Sequence, residues 1–260
     1  MRNTSRFEYK YVLSQTQYYA LKNALMPYLN KDYYTEHAEG GRYLVRSLYY
    51  DTHHLKAFHE RNDGQFGRIK LRLRVYEETY SPDSFLSVEL KTKKGIAMIK
   101  YSALIPLKAY QTFLKEGHFD DETNPVLDEF CRLRLARSLE PQLIVQYQRE
   151  GFVPKAKGNL RITFDHDVSS TRANTLFPNS VMLRPHRPKN VIFEIKCQQK
   201  QPDWLMKIVK AHNLKAITNS KYVQGIEIIR PAMVTQNVDI GLRRKEYDNL
   251  IAKMNKGVQS

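Results

Sequence analysis

The chain has 260 residues, with 42 Lys and Arg against 27 Asp and Glu, and its net charge of +15 points to a polyanionic partner such as nucleic acid, anionic lipid or a phosphate compound. Hydrophobic residues make up 42% and aromatics 11%, with 17 Tyr and 11 Phe, which excludes a disordered basic tail and supplies a real core. No apolar run reaches the roughly 18 residues of a membrane helix, the opening Met1 to Arg6 lacks a signal peptide's apolar stretch, and Cys131 and Cys197 fit neither a disulfide framework nor a metal spacing, so a soluble, cytoplasmic protein is expected.

In chain order, a strand is predicted over 6–12, and Ser14 with Gln17 forms a capping-box pattern for a helix carrying Tyr18, Leu21 and Leu25 before Pro27. Strands follow at 43–51, 67–77, 85–93 and 97–106. A helix over 107–116 ends at Gly117, and Asn124 with Pro125 caps the next, which carries Val126, Phe130 and Leu133 and stops before Pro141. Strands at 143–152, 160–168, 181–184 and 190–198 precede a helix beginning near Pro202, with Trp204, Leu205, Ile208 and Val209. A last strand is predicted at 222–230. In 243–255, Tyr247, Leu250, Ile251 and Met254 recur at helical spacing and predict an amphipathic helix. With no repeat or linker, residues 1–230 read as one domain and 231–260 as a helical extension.

The polar residues of these strands carry the functional information. In 68–76, Ile69, Leu71, Leu73 and Val75 share one face, while Arg68, Lys70, Arg72, Arg74 and Tyr76 share the other. Similar alternation places Arg6, Glu8 and Lys10 together, and likewise Glu89 with Lys91, Arg161 with Thr163 and Asp165, and Glu194 with Lys196. Like charges two residues apart on a strand face are about 7 Å apart and repel by roughly 2.4 kcal/mol at an effective dielectric of 20. An exposed antiparallel sheet would tolerate such a face but has no need of it, since Thr, Ser or Gln would serve. The faces therefore predict an α+β protein whose strands converge in a closed or nearly closed barrel with a basic lumen, its apolar outside covered by helices.

At these residues the sequence resembles the VTC-type polyphosphate polymerase domain, a member of the CYTH-like triphosphate tunnel metalloenzymes. The matching pieces are Arg6 to Tyr11, Ser47 to Thr52, Lys70 to Tyr76, Val88 to Lys91, Lys100, Gln146 to Arg149, Leu160 to Asp165, Phe193 to Lys196 and Ser220 to Tyr222. The resemblance implies an eight-stranded antiparallel tunnel that takes ATP or another triphosphate and inorganic polyphosphate or pyrophosphate. It implies phosphate contacts and catalysis from Lys10, Arg72, Arg74, Lys100, Arg149, Arg161 and Lys221, with Lys70, Lys91, Lys196 and Ser220 also binding substrate. Glu194 is implied as the leading ligand of Mn²⁺ or Mg²⁺, with Glu8 and Glu89 as further ligands. Hydrolytic and cyclase branches begin Glu-x-Glu-x-Lys, whereas Arg6 stands here at the first glutamate, which disfavours a two-metal hydrolase. The membrane helices of eukaryotic relatives are absent from this sequence, which leaves a membrane-protein partner open.

The expected activity is polyphosphate synthesis from the γ-phosphate of ATP, with triphosphate hydrolysis and non-catalytic polyphosphate sensing as alternatives. No motif for a specific nucleic acid appears. Arg46, Arg68 and Lys93 are expected to face solvent rather than line the tunnel mouth, Asp165 to orient a cation rather than bind metal, Tyr49 and Tyr50 to lie in the core or just behind the site, and Cys197 to be buried bulk. His53, His54, His166 and His186 show no metal-ligand spacing.

Overall fold

A computed structural model describes residues 7–62, 68–94, 97–121, 123–198 and 200–231. Its strands are β1 (Phe7–Ser14), β2 (Leu29–Lys31), β3 (Tyr43–Asp51), β4 (Arg68–Val75), β5 (Phe85–Lys94), β6 (Ala97–Pro106), β7 (Glu140–Pro154), β8 (Leu160–Arg172), β9 (Arg184–Pro185) and β10 (Asn190–Cys197). Its helices are α1 (Gln15–Leu25), α2 (Tyr33–His37), α3 (Lys56–Asn62), α4 (Ala109–Glu116), α5 (Pro125–Ala136), α6 (Asp203–Ala211) and α7 (Lys221–Ile229). The helix expected over 243–255 and the rest of the extension beyond Pro231 lie outside the described residues, as do the side chains of Arg68 and Lys93.

Local signals set the helix ends as their chemistry requires. Ser14 Oγ accepts from the Gln17 amide at 3.2 Å while Gln17 Oε1 accepts from the Ser14 amide at 2.9 Å, closing the capping box of α1. Asn124 Oδ1 accepts from the Val126 amide at the start of α5, and α4 ends at Gly117 with φ 77°, which lets the chain turn without a Cβ clash. The expected strand over 222–230 is instead α7. Its β-branched residues suggest a strand, but Tyr222, Val223 and Ile226 recur at helical spacing and are all buried. The short α2 and α3 fall where no helix is predicted.

All ten strands form one antiparallel sheet, ordered β1, β10, β8, β7, β3, β4, β5, β6, with β2 paired to β7 and β9 to β8. The expected barrel is not closed: among the described residues the edge strands β1 and β6 do not pair. The sheet is nevertheless rolled. Glu8 on β1 and Lys91 on β5 are six strand intervals apart along that order, about 29 Å on a flat sheet. Charges that far apart are screened, yet Lys91 helps hold the Glu8 carboxyl below its ordinary range. The polar face is therefore concave.

Two cores cover the convex side. Leu48, Leu71, Leu73, Val88 and Leu90 pack against Tyr110 and Phe113 of α4 and Phe130 of α5. Leu13, Ile162, Phe164, Phe193 and Ile195 pack against Tyr18 and Leu21 of α1 and Leu205 of α6, with Cys197 buried among them. A third core lies inside the curve, where Val45, Leu143, Val145 and Ile192 receive Tyr222, Val223 and Ile226 of α7. Helix α7 thus fills an apolar half of the concave face, and its first residue stands at the charged half. Arg46, expected in solvent, is buried: it donates to Gln146 Oε1 at 2.8 Å and to the Glu78 carbonyl at 2.6 Å, tying a loop to the sheet.

Candidate functional site

Strand register lines up the charged half of the concave face. Lys10 pairs with Glu194, which pairs with Thr163; Lys196 lies between Glu8 and Arg161. Arg149 pairs with Asp165 on one side and Tyr43 on the other, and Arg72 joins Tyr49 to Glu89. Lys70, Lys91 and Lys100 stand in a row across β4, β5 and β6, at the close spacing where like charges destabilise a sheet unless something neutralises them.

Each arginine is aimed by a carboxylate. Arg149 donates from Nε to Asp165 Oδ1 at 2.6 Å and from Nη2 to Oδ2 at 2.9 Å, and Lys221 Nζ reaches the same Oδ2 at 2.5 Å. Glu89 collects Arg72 through Nε at 2.8 Å, Arg74 at 3.5 Å and Lys100 at 3.2 Å. Arg72 also donates to the Tyr49 hydroxyl at 3.0 Å, and Arg74 to Ser47 Oγ at 3.1 Å. Asp165 thus orients cations as expected, although they are Arg149 and Lys221. Arg161 sits at the rim, bound to Asp32 Oδ2 at 2.8 Å and to the Tyr43 hydroxyl at 3.2 Å.

Lys10 Nζ donates to the Asn219 carbonyl at 2.9 Å and lies 3.1 Å from Glu8 and 3.6 Å from Glu194. The buried Glu194 also has Lys196 at 3.2 Å and Arg149 at 3.7 Å. Ser220 precedes α7 without its side chain capping the helix. Lys70 places its ammonium 5.5 Å from the Tyr222 ring.

Ionisation records the crowding. Burial and the field of Arg149 push Lys196 down to about 7, and burial with Arg72 pushes Lys91 well below the usual lysine range. Burial lowers Lys10 as well, despite Glu8 beside it. Burial alone would raise Glu8 and Glu89, but Lys10, Lys196 and Lys91 hold Glu8 at about 2, and Arg72, Arg74 and Lys100 hold Glu89 far below the ordinary range. Burial and mutual repulsion thus disfavour the charged lysines of this face, a cost that a negative guest would relieve.

Sequence reasoning missed Tyr147 as a member of this site. It is buried on the concave face, with Lys221 Nζ 4.8 Å and the Arg149 guanidinium 5.0 Å from its ring centroid. Burial should raise its phenol, yet Arg149, Arg74 and Lys221 bring it down to about 8. Its position two residues before Arg149 was the available signal. Thr163 Oγ1, buried beside Glu194, has no hydrogen-bond partner.

For a divalent ion, Glu194 and Glu8 are the open carboxylates, since both meet lysines or arginine at 3.1 Å or more without filling their lone pairs. Among the described residues, the one group of three metal-type ligands within reach of each other is Glu116, His118 and Asp120, on the exposed surface away from these strands. No helix among the described residues is long and apolar enough to cross a membrane.

The VTC domain family matches residues 5–230. No curated protein sequence matches the chain significantly. Among solved structures, a proposed adenylate cyclase from Bacillus halodurans aligns with TM-score 0.51 at 14% identity, over 85% of this chain and 96% of that one. A protein from Pyrococcus horikoshii aligns with TM-score 0.44 at 12% identity, over 84% and 96%. The Bacillus halodurans likeness bears on the fold alone. With the family match spanning every charged strand of the concave face, the chain belongs to the VTC domain family.

Proposed function

We propose that this domain transfers the γ-phosphoryl group of ATP to the end of a phosphate chain, lengthening polyphosphate, with Mn²⁺ or Mg²⁺ bound. The observation that carries the reading is the concentration of Lys10, Arg72, Arg74, Lys91, Lys100, Arg149, Lys196 and Lys221 on one concave face, with Lys10, Lys91, Lys100 and Lys196 all held below their ordinary pKa. Phosphoryl transfer asks a protein chiefly for positioning and charge neutralisation, which these side chains supply without a nucleophile.

A terminal oxygen of the acceptor phosphate forms the new bond to the γ-phosphorus as the bond to the β–γ bridging oxygen breaks and ADP leaves. The attacking oxygen is already anionic, so no general base is required. Arg72 and Arg74, aimed by Glu89, give bidentate contacts that orient phosphate, and Lys10, Arg149 and Lys221 neutralise the neighbouring groups. Ser220 and the amides at the start of α7 add donors. Lys70, Lys91, Lys100 and Lys196 line the path of the chain, and Arg161 meets it at the rim.

Glu194 and Glu8 would hold the metal, an assignment supported by their incomplete coordination and by the unpartnered Thr163 Oγ1 beside Glu194. One or two carboxylates plus phosphate oxygens suit Mg²⁺ and Mn²⁺, and the ion would neutralise charge on the reacting phosphates. Glu89 also meets three cations, but unlike Glu194 its Oε2 accepts hydrogen bonds from both Nε and Nη2 of Arg72, so it serves better as their anchor than as a ligand.

Electrophoresis of the products formed from ATP and Mn²⁺ tests the proposal. Chains longer than three phosphates are expected from the native protein, and none from Arg72→Ala, or from Glu194→Gln at the Mn²⁺ concentration that just suffices for the native protein, with unchanged circular dichroism. Orthophosphate release without chain growth would identify a triphosphatase, and native rates in both variants would remove the site assignment.

A further inference from the structure

We propose that Tyr33, Tyr34, Tyr43 and Tyr76 form a stacking site for the base of a nucleoside triphosphate whose phosphates lie along the cationic face. The inference rests on the ATP-donor reading and adds to it a place for the base.

The four rings make one cluster. Tyr34 lies nearly parallel to Tyr76, at 10° with centroids 5.9 Å apart, and 5.6 Å from Tyr43. Tyr43 and Tyr76 are 6.0 Å apart, and Tyr33 stands edge-on to Tyr34 at 5.7 Å. Two of the rings are rooted at the charged face. Tyr43 pairs with Arg149 across the sheet and touches Arg161 through its hydroxyl, and Tyr76 follows Arg74 by two residues, about 7 Å along the chain. The other two face outward: Tyr33 is 69% and Tyr34 53% exposed.

Such rings beside cations offer an inorganic phosphate chain nothing, whereas a nucleobase gains stacking on one side while its phosphates reach the arginines. Burial raises the Tyr43 phenol to about 12, so it stays uncharged next to phosphate. The platform is held in place beforehand. Asp32 Oδ1 accepts from the Thr35 amide at 2.8 Å and Thr35 Oγ1 accepts from the Gly151 amide at 2.7 Å, fixing α2 to β7. Elsewhere on the concave face α7 fills the curve, Tyr147 is buried, and the rings of Tyr49 and Tyr222 are buried against each other at 5.4 Å, so among the described residues no other ring there offers its face to a base. Stacking is tolerant of base identity, so GTP should serve nearly as well as ATP.

Calorimetric titration with a non-hydrolysable ATP analogue and with inorganic tripolyphosphate tests the site. Tyr34→Ala, at an exposed position, should weaken the nucleotide roughly five- to a hundredfold and leave tripolyphosphate within about twofold, and Tyr34→Trp should restore the nucleotide. Arg74→Ala should weaken both ligands. If Tyr34→Ala changes both ligands alike or neither, the stacking site is wrong while the phosphate face stands. If the native protein binds neither ligand, both readings fall.

Discussion

Lys221, the first residue of α7, places its ammonium 2.5 Å from Asp165 on β8, the same buried carboxylate that Arg149 grips with two hydrogen bonds. One side chain therefore fixes both a strand arginine and the start of the helix that fills the concave face. Asp165→Asn removes the charge that two buried cations share, and breaking a buried pair costs about 3–5 kcal/mol. The variant should melt well below the native protein, and tripolyphosphate should raise its melting temperature by more than it raises the native one, because the guest supplies the missing negative charge. Thermal melts with and without tripolyphosphate check both parts; equal stability of the two free proteins would contradict the shared-anchor role.

Glu89 and Glu194 should fail differently. Glu89→Gln leaves Arg72, Arg74 and Lys100 without their common partner, so tripolyphosphate affinity at low salt should hold or rise, while turnover falls as the arginines lose their aim. Glu194→Gln should instead raise the Mn²⁺ concentration needed for activity by about tenfold or more, comparable to losing one supporting contact of a metal site. Metal titrations of the two variants separate these outcomes; an identical shift in both would show that the carboxylates share one role.

The depressed lysines give the ligand-free protein a distinctive pH profile. Lys196 titrates at about 7 in the fold and near 10.5 when unfolded, and Lys91 and Lys10 are shifted the same way. Between those values the unfolded chain binds more protons, so stability should rise with pH from about 7 upward. A bound phosphate chain favours the charged lysines, so its binding takes up protons and weakens as pH rises through 7. Melting temperatures from pH 6 to 9 should climb without ligand while the increment from tripolyphosphate shrinks, and Lys196→Met should flatten both trends.

Gly151 of β7 lies directly against Asp32, the N-cap of α2. A Cβ there would overlap Asp32 Oδ2, and Asp32 both caps α2 and holds Arg161. Gly151→Ala should cost about 1–3 kcal/mol by overpacking and also weaken nucleotide binding, since α2 carries Tyr33 and Tyr34. Chemical denaturation and nucleotide titration of the same variant check the pairing of the two effects.

Much of this arrangement is legible in the sequence, because strand alternation gives the sign of each face without any tertiary information. The basic face of Lys70, Arg72 and Arg74 and the carboxylates between the cations follow from period two alone. Closure does not: alternation says which residues share a face, but whether β1 meets β6 depends on twist and strand tilt accumulated over eight strands. Helix α7 was hidden by its β-branched residues, whose propensity yields to packing against Val45 and Leu143. Arg46 looked like a solvent cation because its partners, Gln146 and the Glu78 carbonyl, come from another strand and a loop. The engagement of Glu89 by three cations from β4 and β6 is equally non-local.

The measurement that bears most directly on the concave cationic face is titration of inorganic tripolyphosphate into the native protein at several salt concentrations, repeated with Arg72→Ala and Arg149→Ala. One chain should bind per protein molecule, with affinity falling as salt rises and dropping by at least tenfold in each variant. Several weak sites per molecule, or binding untouched by either substitution, would mean that the anion is held on the outer surface and that the concave face serves another purpose.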